Sequence, residues 1–357
     1  SAILRLDRSY PSVVESLDSR GGPMRDAISQ PETFNKLRAG ANAAFAMLAG
    51  IQLDVFTPLK AGSMTAEQLA AAMGVGSTRL RPLLYALVVA GLLTERDGQF
   101  SNTPEANQFL VKGEPSYIGD RHGSIANSFA VLVKTAESIR SGEPKAKLDF
   151  SNSPPEELER FLRNINPGTV LAARALLGMV DFSSIRTVLD VGCGGGGFAI
   201  MLAKACPHIK AVGTDLPTVV PIAKKIVADQ GLTDRIEVIA VDVVNESLPR
   251  TYDAAVLRNF LQVLSADNAQ KAVRNIAAAL NPGGKIYIVG QVLDDSRTSP
   301  VEAVGFNLLF LNLFDEGESF TESEHRGWLA DAGLVNIQRS NFLLKDGNGL
   351  ITAQKPK

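Results

Sequence analysis

Residues 187–197 read Thr-Val-Leu-Asp-Val-Gly-Cys-Gly-Gly-Gly-Gly, a short apolar run that breaks into a turn containing five glycines. Strands and helices both weaken across so many residues without a Cβ, yet Phe198–Ala205 resumes at once with helical composition. A strand that feeds a helix through a glycine turn is the opening unit of a parallel sheet with helices on both faces. The chain that follows keeps that rhythm. Strands are predicted at Thr187–Val191, Ala211–Thr214, Ile236–Ala240, Ala254–Leu257 and Lys285–Gln291, the last entered through Asn281-Pro282-Gly283-Gly284. Helices are predicted at Phe198–Ala205 and Val219–Gln230, and around Ala269, Val273, Ile276, Ala277 and Leu280, which share one face. Thr321-Glu322-Ser323-Glu324 opens another helix as a capping box, ending at Gly333. Val335–Asn341, an Asp346-Gly347-Asn348-Gly349 turn and Leu350–Gln354 then form a hairpin appended to the sheet. The C-terminal part is α/β.

The first half has a different grain. Ala41–Leu48 is a run of small apolar residues broken only by Asn42. Thr65-Ala66-Glu67-Gln68 is a capping box for a short helix that stops at Gly74. Leu80, Leu83, Leu84, Leu87 and Val88 mark the next helix, closed by Gly91, and Leu92–Phe100 reads as a hairpin turning at Asp97-Gly98. Helix, helix, hairpin is a winged helix. To read DNA it would need basic residues on its second helix, where only Arg79 and Arg81 stand. With 36 Lys and Arg against 38 Asp and Glu, net charge −2, no basic face for nucleic acid or an anionic membrane is expected. The module is expected to pair two copies of the chain through 33–111. A chain of 357 residues supports two cores, and the division expected is an arm (1–31), the winged helix (32–115), a helical connector (116–180) and the α/β domain (181–357). In the connector, Gly113–Arg140 and Glu156–Val180 read as helical and the Pro-containing stretch between them as a surface loop. Two cysteines, Cys193 and Cys206, provide neither a disulfide framework nor a metal site, which suits a reducing cytoplasm. No stretch reaches the roughly 18 apolar residues of a membrane span, and Ser1–Ser16 lacks the order of a signal peptide.

Gly192-x-Gly194-x-x-Gly197 also satisfies a dinucleotide fingerprint, and Asp215 at the second strand's end suits ribose hydroxyls in either case. Three features favour a different nucleoside. Asp190, inside the first strand's end, would repel a pyrophosphate but suits an ammonium. Asp242, ending the third strand, can accept an adenine amino group. The Asn281–Gly284 turn and closing hairpin belong to another architecture than the dinucleotide fold.

On Leu189-Asp190-Val191-Gly192, Thr214-Asp215-Leu216-Pro217, Asn281-Pro282-Gly283-Gly284 and the winged helix, the sequence from about Thr33 to Lys355 resembles the plant and bacterial small-molecule O-methyltransferase family. The resemblance implies a Rossmann-like, seven-stranded methyltransferase domain behind a mostly helical winged-helix dimerisation domain. It also implies S-adenosylmethionine as cofactor, a small-molecule acceptor, a homodimer and no metal. Carried over by position, Gly192, Gly194 and their neighbours line the methionine moiety, Asp215 holds the ribose and Leu216 lies against the adenine. Asp242 and Val243 meet the adenine edge, and Arg258 is a basic position beside the cofactor. Tyr117, Phe129, Phe161, Asn259, Phe310, Asn312 and Phe314 align with the acceptor pocket.

At the catalytic positions the sequence departs from the family. Its histidine base, set in His-Asp-Trp, is replaced by Gln262 followed by Val263-Leu264, and its two orienting glutamates by Gln291 and Ser319. Glutamine takes up no proton near neutral pH, whereas a general base contributes roughly 10²–10⁴-fold towards a hydroxyl acceptor. His208 and His325 are expected to be solvated, leaving His122 in the connector as the one candidate base. An S, N or C acceptor needing no base is therefore favoured, one example being the thioether of a methylthio hydroxy acid on the way to dimethylsulfoniopropionate. An O-methyltransferase with a relocated base stays open, as do a cofactor-binding protein without transfer activity and a ligand-sensing DNA regulator.

Overall fold

The computed structural model describes residues 30–147, 149–342 and 348–357. The expected arm therefore falls almost wholly outside the described residues, as does the first half of the turn expected at Asp346–Gly349. The N-terminal unit begins with α1 (Glu32–Gln52) and continues through β1 (Met64–Thr65), α2 (Ala66–Met73) and α3 (Ser77–Val89). β2 (Leu93–Arg96), β3 (Gln99–Asn102) and α4 (Pro104–Phe109) complete it. Thr65 caps α2 with both halves of its capping box in place, and Gly74 ends the helix in the left-handed region at φ 67°. The wing has a third strand that the sequence pattern did not show, β1, which pairs with β3 at Met64–Phe100 and Thr65–Gln99. Two residues are too few to display a period. On α1, Ala46, Leu48 and Ile51 turn into this unit's own core, while Phe34, Leu37 and Phe45 stay exposed. The apolar run at Ala41–Leu48 is thus divided between an inward and an outward face.

α5 (His122–Leu132), α6 (Thr135–Ser141) and α7 (Pro155–Met179) form the connector. The helix expected from Gly113 starts only at His122, because Gly113 takes φ 86° and Pro115 removes a backbone donor. Then come β4 (Thr187–Val191), α8 (Gly197–Ala205), β5 (Lys210–Asp215), α9 (Val220–Asp229), β6 (Ile236–Ala240) and β7 (Tyr252–Arg258). α10 (Ala266–Ala278), β8 (Leu280–Gln291), α11 (Val301–Leu313), α12 (Glu322–Asp331), β9 (Val335–Phe342) and β10 (Asn348–Gln354) follow. The seven-stranded sheet has the order β6-β5-β4-β7-β8-β10-β9, with β10 alone antiparallel, wedged between β8 and β9. One apolar layer, with Val273, Ile276 and Trp328, covers one face of the sheet; another, with Leu176, Phe198 and Leu202, covers the opposite face. α11 had no counterpart among the predicted helices. It is apolar on nearly every side, so it lacks the period by which an amphipathic helix is recognised. His325, expected in water, is 2% exposed, packed against Phe320 and Trp328 with Nδ1 on the Thr321 carbonyl. His208 is exposed as expected.

Candidate active site

Chain order reverses in the sheet between β4 and β7, opening a crevice at the carboxyl ends of the strands. A cavity of about 900 Å³ lies there, walled on one side by these strand ends and on the other by α5, α7 and α11. The glycine turn makes its floor. Gly192 takes φ 64°, and a Cβ on it would come within 2.7 Å of the Phe260 ring, so both the backbone angle and the space require glycine.

Backbone amides fix the carboxylates on the strand side. Asp190 Oδ2 accepts from the Ala199 amide at 3.1 Å, in the first turn of α8. Burial pushes Asp190 up to about 7, its bond to Ala199 draws it back and the nearby Asp215 charge raises it further. Asp215, the last residue of β5, accepts from the amides of Gly194 at 2.7 Å and Leu216 at 2.8 Å. Burial raises its carboxyl too, against the pull of those two amides. Asp242 stands two residues past β6 rather than at its end, and accepts from the Val244 amide and Asn245 Nδ2. Arg258 closes β7 and donates to Thr169 Oγ1 at 3.0 Å. Burial lowers its guanidinium to about 10 although Asp190 pulls the other way. A carboxylate suited to an ammonium, one to a ribose and one to an adenine amino group, over a glycine cradle, match the groups of S-adenosylmethionine in chemistry and order.

The helical side is aromatic. Phe150 meets Phe161 edge-on at 5.6 Å and Phe314 in a stack at 6.4 Å, and Phe310 lies 5.8 Å from Phe314. Phe129 also lines this half, and so does Asn259, held at φ 50° with its amide on the Val289 carbonyl. Phe150 belongs to the stretch expected as a surface loop. Its carbonyl accepts from Thr218 Oγ1 at 2.7 Å, which ties that stretch across to the segment after β5. Phe260, Phe306, Arg121, Lys134 and Thr169 also line the cavity without having been singled out; as isolated residues on helices and loops they carry no motif.

Six expected site residues stand off the lining. Tyr117 folds over Gly119, where an added Cβ would touch its ring. His122 is exposed and its Nδ1 pairs with the Gly119 carbonyl at 2.9 Å. Asn312 is fully buried, bonded to Ser138, Thr135 and the Leu308 carbonyl, and so ties α11 to α6. Gln262, Gln291 and Ser319 are buried and absent from the cavity lining, to which Asn259, Phe260 and Val263 belong. Gln262 packs so closely on Gly290 that a Cβ there would lie 2.7 Å from its Oε1. Its Nε2 and the Ser319 Oγ have no hydrogen-bond partner among the described residues. Neutral side chains tolerate a burial that a carboxylate or imidazolium would resist.

The O-methyltransferase domain model matches residues 144–335, more than half of the chain, and the O-methyltransferase dimerisation domain matches 36–112. The chain belongs to the O-methyltransferase family. It is similar to the 3-hydroxy-5-methyl-1-naphthoate 3-O-methyltransferase of Streptomyces sahachiroi, 31% identical over 91% of this chain and 95% of the relative. It is 25% identical to the N,N-dimethyltransferase OxyT of Streptomyces rimosus over 92% of this chain and 98% of that one. In fold it matches the apo crystal structure of the S-adenosylmethionine-dependent methyltransferase SibL, with TM-score 0.78 and 24% identity over 92% and 100% of the two chains. This family member is thus an S-adenosylmethionine-dependent methyltransferase. None of its described helices is long and apolar enough to cross a membrane.

Proposed function

We propose that this methyltransferase acts on a small metabolite at a sulfur, nitrogen or carbon atom that is nucleophilic without help from a side-chain base. The observation that carries this reading is the acceptor half of the cavity. Among the described residues its lining holds Arg121 and Lys134 but no histidine or carboxylate, the three aspartates being gathered at the strand ends. S-adenosylmethionine supplies an electrophilic methyl on a sulfonium. The chain's part is to hold the acceptor in line, exclude water and present aromatic faces to positive charge. A thioether, including that of a methylthio hydroxy acid, meets this requirement, and so does a neutral amine. A second reading, transfer to a hydroxyl ionised by its own acidity, is favoured by the family and by the naphthoate relative. In both readings the enzyme works as a homodimer through 33–111, with Phe34 and Leu37 of α1 on the covered face.

Incubation of a metabolite pool with methyl-labelled S-adenosylmethionine, followed by identification of the labelled atom, separates the readings: label on oxygen overturns the first. With the acceptor in hand, any ascending limb of the pH–rate profile is expected to follow the acceptor's own pKa. His122→Ala is expected to leave that profile intact; loss of more than about 10³-fold in kcat together with the limb would establish a side-chain base.

A further inference from the structure

Charge is unevenly placed around the cavity. Its carboxylates, Asp190, Asp215 and Asp242, lie at the strand ends, while Arg121 and Lys134 stand on the helical side, in the turn before α5 and at the start of α6. Arg258 lies between the groups, and lining cations and carboxylates balance at three each. S-adenosylmethionine brings a sulfonium, an ammonium and one carboxylate, so its arrival leaves the site with an excess positive charge. Arg258, near Asp190, is placed for the donor's carboxylate. Lys134 already donates to the Lys145 carbonyl at 3.0 Å. Arg121 has no ion pair and no side-chain hydrogen bond among the described residues. It lines the same cavity as Arg258, and its charge adds to what lowers that guanidinium. Two like charges facing one cavity repel until an anion joins them.

We propose that Arg121 is a specificity-determining residue that reads a carboxylate on the acceptor, at the helical mouth of the cavity. A planar guanidinium with all its donors uncommitted suits a carboxylate, which it can take in a two-pronged grip. The phenylalanines beyond it take the apolar body of the same molecule, so the acceptor class is an apolar or aromatic carboxylic acid. The inference rests on the reading that the helical half of the cavity is the acceptor's.

The test measures binding without turnover, and so is independent of which atom is methylated. Full-length protein saturated with S-adenosylhomocysteine is titrated calorimetrically with 1-naphthoate and with its uncharged counterpart 1-naphthamide. Wild type is expected to prefer the acid by about tenfold, the scale of one charge-assisted contact near solvent. Arg121→Gln should bind the two probes alike, Arg121→Lys should restore part of the preference, and both variants should hold S-adenosylhomocysteine within about twofold of wild type. Equal binding of the two probes by wild type overturns the proposal, as does a preference that survives in Arg121→Gln. Failure of naphthoate to bind below the millimolar range also overturns it. So does a loss of S-adenosylhomocysteine affinity in Arg121→Gln, which would assign Arg121 to the donor.

Discussion

The two halves of the cavity are held in place by different kinds of contact. On the strand side Asp190 and Asp215 are gripped by the amides of Ala199, Gly194 and Leu216, so each carboxylate's position follows from the backbone of the sheet and its glycine turn. On the helical side, Phe150, Phe161, Phe310 and Phe314 position one another through ring contacts, with directed bonds only beside the rings, from Asn312 to α6 and from Thr218 to the Phe150 carbonyl. A backbone-bound half tolerates little change and suits a ligand that stays the same. A half made of packed rings can be reshaped by exchanging side chains while the fold persists.

The sharpest way to break this comparison is Asp215→Ala. If Asp215 holds the ribose, this removes two charge-assisted bonds, and S-adenosylmethionine affinity measured by calorimetry should fall by about 2–4 kcal/mol, roughly 30- to 1000-fold. Unchanged affinity would mean that the strand side does not hold the donor.

Next in size is a pH effect. Asp190 is raised to about 7 by burial, while an unfolded carboxylate titrates near 4. Between those values the folded chain holds a proton that the unfolded chain has lost. Stability without ligand therefore declines as pH rises from about 4 to about 7 and is flat above. With the donor's ammonium facing Asp190, binding below pH 7 expels that proton, and affinity should rise by up to about tenfold per pH unit until about 7. Calorimetry in two buffers of different protonation heat counts the proton, and Asp190→Asn should abolish the release. Heats that do not depend on the buffer would place the ammonium elsewhere.

The smallest effect concerns Gln262. In sequence it stands at the family's histidine position. In the structure it is buried and absent from the cavity lining. Gln262→Leu removes an amide whose Nε2 is buried without a partner among the described residues, so the melting temperature should hold or rise, and kcat/KM should fall by less than about tenfold. A loss beyond about 100-fold at unchanged stability would show that Gln262 reaches the acceptor.

What could be read from sequence follows the same division. β4 and β6 stand at the residues predicted, and Asp190, Gly192, Asp215 and Arg258 all line the cavity, because a glycine turn and strand-end carboxylates occupy set places in the chain. α11 lacked a period, and Phe150 lay in a stretch whose prolines and serines read as loop. The contribution of Phe150 depends on its contacts with Phe161, Phe314 and Thr218, residues that only the folded chain brings beside it. Position by position, Gln262, Gln291 and Ser319 could be aligned with catalytic residues, but alignment does not say whether a side chain lines the cavity.

The place of β10 between β8 and β9 also bears on how the molecule assembles. β9 finds its sheet partner in β10 alone, so the outermost strand has nothing to add to until its successor in the chain is in position. The hairpin is the local event and its docking on β8 the distant one, with Leu350 opposite Val289 across some sixty residues. In folding time, this edge of the sheet is added as a pair: a fast, short-range step waits on a slow, long-range one.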